Sequence, residues 1–381
     1  MRLKETLHTA FPVSAVWFGA LVGPSMVSGA YSAVYFAPYG AWGIVLSYLS
    51  MIGICLVVGL SANIVRSNRT YEYAHFARVI YGRLSPILLP VLDLFMILAM
   101  VVGGSAVLSM AGTFFGDLLG VPVIWGAIIM AAMGILLDLW GAHLVRLSSA
   151  VMTPILIVGF VLLTGTGIFS RMEYLWTTLG DWSIAGKNLG SGLTGAILLG
   201  FSNLGMATSL CSVEQRVTKR SECAWIAICS LVLNGTAFAL ETLFLLPYCP
   251  EALTAQVPAT YIIENFIAVE HPWIRNTYLL VMFFALLSSS ALQLHAVSSR
   301  VLKFFPAAAT LRQEKQRNLI IGVVYMTSCV AISSFGLFAI VSKGYSMLAK
   351  LGIPLIALPV VLYAIRHFRG KNTQGDPHAA E

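Results

Sequence analysis

Gly23-Pro24-Ser25-Met26-Val27-Ser28-Gly29 lies in the middle of an apolar segment running from about Phe11 to Tyr35. An α-helix needs every backbone N–H for the carbonyl four residues back. Pro24 has no N–H, and its ring crowds the preceding turn. Gly23 and Gly29 loosen the backbone on either side. In hydrocarbon such a break is tolerated only where the freed groups are buried in protein or line a cavity. The stretch therefore reads as an interrupted membrane helix around a binding site, or as a plain proline kink. The rest of the chain decides between the two.

The chain is 381 residues long, 58% hydrophobic and 10% charged, with a mean hydropathy of +0.84. Soluble domains carry about 25% charged residues, so this is an all-α integral membrane protein. The net charge of +7 does not point to nucleic acid, because the basic residues sit in short connections between apolar segments. The six cysteines form no CxxC or Cys/His cluster, so neither a disulfide framework nor a structural metal is expected. Arg2 and Lys4 before an apolar run resemble a signal peptide. The run is too long and lacks a small-residue cleavage site, so it reads as a retained first span.

Ten segments are long enough to cross a bilayer, which takes roughly 20 residues each: about 11–35, 41–65, 86–114, 121–140, 147–169, 193–212, 223–247, 273–299, 318–341 and 345–367. Eighteen Lys and Arg fall in alternate connections and the two tails. The opposite connections hold four, namely Arg171, Lys187, Arg275 and Lys343. This bias puts both termini in the cytoplasm and supports the count of ten. Residues 170–192, with Tyr174, Trp176 and Trp182, suit the outer interface. Residues 252–266, with Pro258 at the centre, read as a bent helix over the mouth of a site or as a solvated loop.

Span six carries a second break, Gly200-Phe201-Ser202-Asn203-Leu204-Gly205. If the chain divides five plus five, span six opens the second half, and five being odd, that half enters from the opposite face. Spans one and six are then related by inversion, within repeats of about 11–169 and 193–368 in a single domain over 1–381. Matched Gly/Pro-interrupted spans in two halves point to a transporter site.

These residues also resemble a known family. Gly23-x-Ser25-Met26-Val27-Ser28-Gly29 is similar to the G-x-G-F-A-S-G opening of the YkvI-like bacterial membrane proteins, within the LeuT-fold amino acid–polyamine–organocation superfamily. Tyr39-Gly40-Ala41-Trp42-Gly43, Met110-Ala111-Gly112, Pro154 and Ser202-Asn203-Leu204-Gly205 also fit. One departure is that Ala30-Tyr31 stands where the family has Gln-Glu, so the carboxylate expected in span one is missing. The resemblance implies a LeuT-like 5+5 inverted repeat, with spans one, two, six and seven rocking against three, four, eight and nine. It also implies a sodium site formed by the hydroxyls of Ser288 and Ser289 and the carbonyls of Gly23 and Met26.

Half-helix ends carry partial charges that can hold a carboxylate and an ammonium without charged side chains. Neither break contains Asp, Glu, Lys or Arg, which favours a small neutral or zwitterionic solute, an amino acid or related amine. Gly23, Ser25, Met26, Val27, Ser28, Gly29, Phe201, Ser202, Asn203 and Gly205 are the candidate binding residues, the alternative for the serines being bonds within their own helix. Met26, Phe201 and Met206 would form the apolar wall. Proton coupling would fall to an ionisable residue inside the membrane, with Glu241 and His295 as candidates. Asp138 near the inner end of span four would be solvated by headgroups. No cofactor beyond a possible Na+ is expected. Motifs of intramembrane proteases, H-E-x-x-H and phosphate loops are absent, so an enzyme is not expected. The competing reading is a non-transporting membrane sensor or assembly factor on a transporter fold.

Overall fold

The computed structural model describes residues 2–139, 142–183, 188–212, 214–269, 271–306 and 311–369. Among them every regular element is helical. Span one is α1 (Arg2–Leu21), α2 (Pro24–Val27) and α3 (Ala30–Tyr35). Span two is α4 (Trp42–Asn68), followed by α5 (Tyr73–Tyr81). Spans three to five are α6 (Ser85–Leu119), α7 (Val123–Leu139) and α8 (Ala142–Ser170). At Arg171 the chain bends by 80° into α9 (Met172–Gly180). Span six is α10 (Leu189–Ser202) and α11 (Gly205–Ser209), and span seven is α12 (Arg220–Leu245). The connection after span seven carries α13 (Pro258–Ile262), continued by a π-turn at Ile263–Ile267. Span eight is α14 (Pro272–Val301) and span nine is α15 (Leu311–Ser333). Span ten is α16 (Leu337–Ala339), α17 (Tyr345–Gly352) and α18 (Leu358–Arg369), joined through π-turns.

Each of the ten apolar segments is thus helical. By length and apolarity alone, six helices among the described residues suffice to cross a membrane, or seven if the bent pair at Arg171 is counted as one span. The shortfall has local causes. Span one is divided at Val22-Gly23, α7 has only 17 residues, and the first turns of α15 are charged. The boundary between spans nine and ten also differs from the expected one. Gly336, at φ 85°, ends the turn after α15, and the next helix begins at Leu337, not near 345. Lys343, placed by the sequence in an outer connection, is therefore inside the last helix, in its first π-turn. Lys187 and Lys371 lie outside the described residues.

The helices pack in two groups. In one, α12 lies along both α4 and α1, and α10 lies on α4. In the other, α6, α7, α14 and α15 all touch one another. Span five rests on α14, and α17 rests on α10. Close approach decides where α10 sits, since Gly200 abuts the Ser50 carbonyl and the Phe201 ring packs against Gly53.

Candidate substrate and ion site

The break in span one is a short structured insert. Gly23 N–H bonds back to Leu21 O (2.7 Å), and Gly23 O accepts from both Met26 and Val27 (3.1 Å each). Gly29 takes the left-handed conformation at φ 79°, which costs a residue with a β-carbon about 1–2 kcal/mol. That turn redirects the chain into α3. A new half-helix needs its first N–H groups satisfied. Ser28 Oγ accepts from Ala30 N–H at 3.3 Å. Glu241 Oε1, reaching over from α12, accepts from Ser32 N–H at 3.0 Å and also meets the N–H of Tyr31. Both breaks lack acidic residues in their own sequence, yet a carboxylate stands at one of them. The correction matters for recognition, because the positive end of α3 is held by the protein's own Glu241.

The loop after α12 completes the insert. Ala259 N–H donates to Ser28 O at 3.0 Å, so α13 lies directly over the break, as a bent outer helix would. Gly29 faces Leu245 and Pro258. Farther out, Tyr35 Oη donates to Val341 O at 2.8 Å and fastens α3 to the last helix. Ser32 Oγ donates to Thr242 Oγ1 at 3.0 Å, which ties α3 to α12. On the side that faces α13 the span-one break is covered.

Deeper in, the Tyr31 ring lies 5.7 Å from Tyr345 and 5.5 Å, edge-on, from Phe238. Tyr345 also shares polar side-chain interactions with Tyr31 and with the buried Ser25. Sequence reading missed both tyrosines. Tyr345 opens α17 right after a π-turn, and such turns shift helix register, often at functional sites. The break in span six meets α17 lower down, where Leu204 packs on Gly352, and it meets span three where Gly205 faces Met96. Tyr345 and Gly352 are two helical turns apart, about 10 Å at 1.5 Å per residue. The two breaks thus flank a stretch of span ten from opposite ends.

No protein-family model matches the chain. It is 20% identical over 313 residues to the uncharacterized membrane protein YkvI of Bacillus subtilis (strain 168), across 80% of this chain and 84% of that one. Its structure is similar to MhsT in complex with L-phenylalanine (19% identity, 93% of this chain and 87% of that one, TM-score 0.59). It is similar to inward-facing Mhp1 (16%, 94% and 77%, TM-score 0.63) and to a substrate-bound, outward-open Na+-coupled sialic acid symporter (14%, 93% and 84%, TM-score 0.56). The chain has the LeuT-like fold. These neighbours include named transporters and symporters and no enzyme.

Within the LeuT-like fold the remaining candidates separate. Gly23 and Ser289 come together, with Ser289 Oγ 3.8 Å from where a β-carbon on Gly23 would stand. Ser288 is buried on the same turn of α14. Met26 and Val27 line a cavity of about 10 Å³ beside Glu241, Thr164 and Tyr278. Oε2 of Glu241 has no hydrogen-bond partner among the described residues. Other candidates are engaged locally. Ser28 Oγ donates to Ser25 O (2.9 Å), Ser202 Oγ to Leu199 O (2.6 Å) and Asn203 Nδ2 to Leu199 O (3.2 Å). Phe201 turns to α4, where it packs against Gly53, and does not line the span-one break. His295 Nδ1 lies 3.1 Å from Asp138 Oδ1. Asp138 is therefore not solvated by headgroups but 5% exposed and bonded to span eight. Asp93 pairs with Arg300 at 3.2 Å, whose guanidinium stands over the Tyr73 ring.

Proposed function

We propose that this protein is a secondary active transporter of a small neutral or zwitterionic solute, an amino acid or related amine, coupled to Na+ or H+ by alternating access. It would sit in a bacterial inner membrane with both termini cytoplasmic. The observation that carries the reading is the pair of interrupted helices, spans one and six, that flank span ten beside spans three and eight. Irregular backbone at membrane depth supplies helix ends for an ion and for the polar groups of a zwitterionic solute. With the α3 end taken by Glu241, the solute's polar groups would meet Ser25, Tyr31 and Tyr345, and Met96 would supply an apolar wall. The two packed helix groups are the bodies that would rock.

For sodium, Ser288 and Ser289 with the Gly23 and Met26 carbonyls offer the hard oxygen donors that the ion prefers. The Gly23 carbonyl accepts two N–H groups and the Met26 carbonyl accepts that of Gly29, so a bound sodium ion would share or displace these bonds. For protons, Glu241 is the candidate at the break itself. His295 is bonded to Asp138 inside the second helix group, so its place favours fastening spans four and eight.

The test is melting of the purified protein against amino acids, amines and small organic acids, in sodium and in potassium buffer. A ligand that binds the native state raises the midpoint by mass action. A hit that also drives flux in proteoliposomes supports transport. A ligand that binds without flux would overturn it in favour of a sensor.

A further inference from the structure

Outside the central site, a cleft of about 730 Å³ lies between α4, α12 and α18, within the range of about 300–1,000 Å³ typical of ligand sites. Each helix contributes one face at i, i+3, i+4 spacing. Small residues make the space. Gly59 lies against Ala227, a β-carbon there standing 2.9 Å from that of Ala227, while Ala224 and Ala364 leave the sides low. The rim is apolar and turned outward, with Leu56 60% and Ile365 48% exposed.

One end of the cleft is different. Arg220 lines it there, beside Asn63. Asn63 Oδ1 accepts from Arg66 at 2.9 Å, which brings a second guanidinium to the same mouth. Among the described residues no carboxylate pairs with Arg220. The nearby Glu222 is engaged elsewhere, accepting from the N–H groups of Thr218 and Lys219 at 2.7 and 2.9 Å. This end belongs to the inner side by the charge bias of the connections.

We propose that this cleft holds one acyl chain of an anionic phospholipid, with the lipid phosphate paired to Arg220 and Arg66. An apolar slot that opens to the bilayer matches a hydrocarbon chain. Arg220, paired with no carboxylate among the described residues, matches a phosphate at headgroup level, in the bidentate geometry guanidinium favours. A soluble anion would have no use for the slot, and a neutral lipid none for the charge. The cleft lies where α4 and α12, which the transport reading puts in one moving body, meet the last helix, so a lipid seated there bears on that contact. The site itself depends only on the membrane setting and not on transport.

The experiment uses the full chain, delipidated in detergent, with added phosphatidylglycerol or phosphatidylcholine of identical acyl chains. Bound lipid is counted by native mass spectrometry. The wild type is expected to retain one phosphatidylglycerol with a preference of about tenfold over phosphatidylcholine. Arg220→Gln is expected to erase the preference, and Ala224→Phe to lose both lipids by filling the slot. Arg83→Gln, which removes an exposed charge at the same end that does not line the cleft, keeps the preference. Equal retention of the two lipids by the wild type, or a preference unchanged in Arg220→Gln, would overturn the proposal. Arg220 is exposed, so that variant decides the matter even if Ala224→Phe does not fold.

Discussion

Glu241 on span seven accepts the backbone N–H of Ser32 on span one at 3.0 Å, across 209 residues of chain. The carboxylate caps a half-helix that would otherwise end in unsatisfied donors inside the bundle. Removing it leaves buried N–H groups without an acceptor, which costs about 1–3 kcal/mol. Glu241→Ala is therefore expected to lower the melting temperature clearly and Glu241→Gln, which keeps an amide oxygen, much less. Equal melting of Glu241→Ala and wild type would show that α3 does not depend on this cap.

The same residue separates the two coupling modes. Glu241→Gln holds its hydrogen bond but carries no exchangeable charge. It is expected to leave sodium-driven uptake intact and to weaken proton-driven uptake. An uptake–pH profile superimposable on the wild type would remove Glu241 as the proton carrier.

Gly29 is the left-handed hinge between α2 and α3, and a β-carbon there would stand 3.0 Å from Leu245 Cδ1. Gly29→Ala is expected to destabilise the protein by about 1–2 kcal/mol through its backbone alone. Gly29→Leu also pushes α13 off the break and is expected to abolish solute binding. Full uptake by Gly29→Leu would contradict the position given to the break.

A sodium ion between Gly23 and span eight predicts a cation-specific effect. Sodium, but not potassium, is expected to raise the melting point of the wild type, and the double variant Ser288→Ala/Ser289→Ala is expected to lose that rise. A rise retained in the double variant would move the ion elsewhere.

Glu214 lies in the connection after α11, 1% exposed, and neither carboxylate oxygen has a partner among the described residues. Burial pushes its carboxyl from 4.5 up to about 8. The buried thiols Cys211 and Cys223 stand nearby, and Arg66 is beside Cys223. The folded state holds the proton more tightly than the unfolded one, so this contribution to stability is complete below pH 4.5. It is lost as pH rises towards 8. Glu214→Gln mimics the protonated form and is expected to melt increasingly above the wild type across that window. A constant difference from pH 5 to pH 8 would show that Glu214 is not buried as a neutral acid.

Much of the architecture was legible in the chain. Pro24 between two glycines, and the Gly200–Gly205 cluster, mark helix interruptions because backbone geometry is a local property. The charge bias of the connections is likewise a sum over local segments. The boundary between spans nine and ten was misplaced because the apolar run continues through Ser334-Phe335-Gly336, and only the positive φ of Gly336 divides it. Phe201 read as a wall of the site, but the face of a helix that meets a neighbour depends on where that neighbour is, here Gly53.

The sequence by itself determined the membrane setting, the interrupted first and sixth spans, the polar and small residues at the breaks, and the resemblance to LeuT-like proteins. These follow from composition, period and local stereochemistry. Only the tertiary structure decided which distant groups complete the site. Glu241 at the start of α3, Tyr345 beside Ser25, Ser289 beside Gly23 and Ala259 on the Ser28 carbonyl are pairs far apart in the chain. A hydrogen bond or a close contact between them depends on how whole helices pack, and no local rule in the sequence encodes that distance.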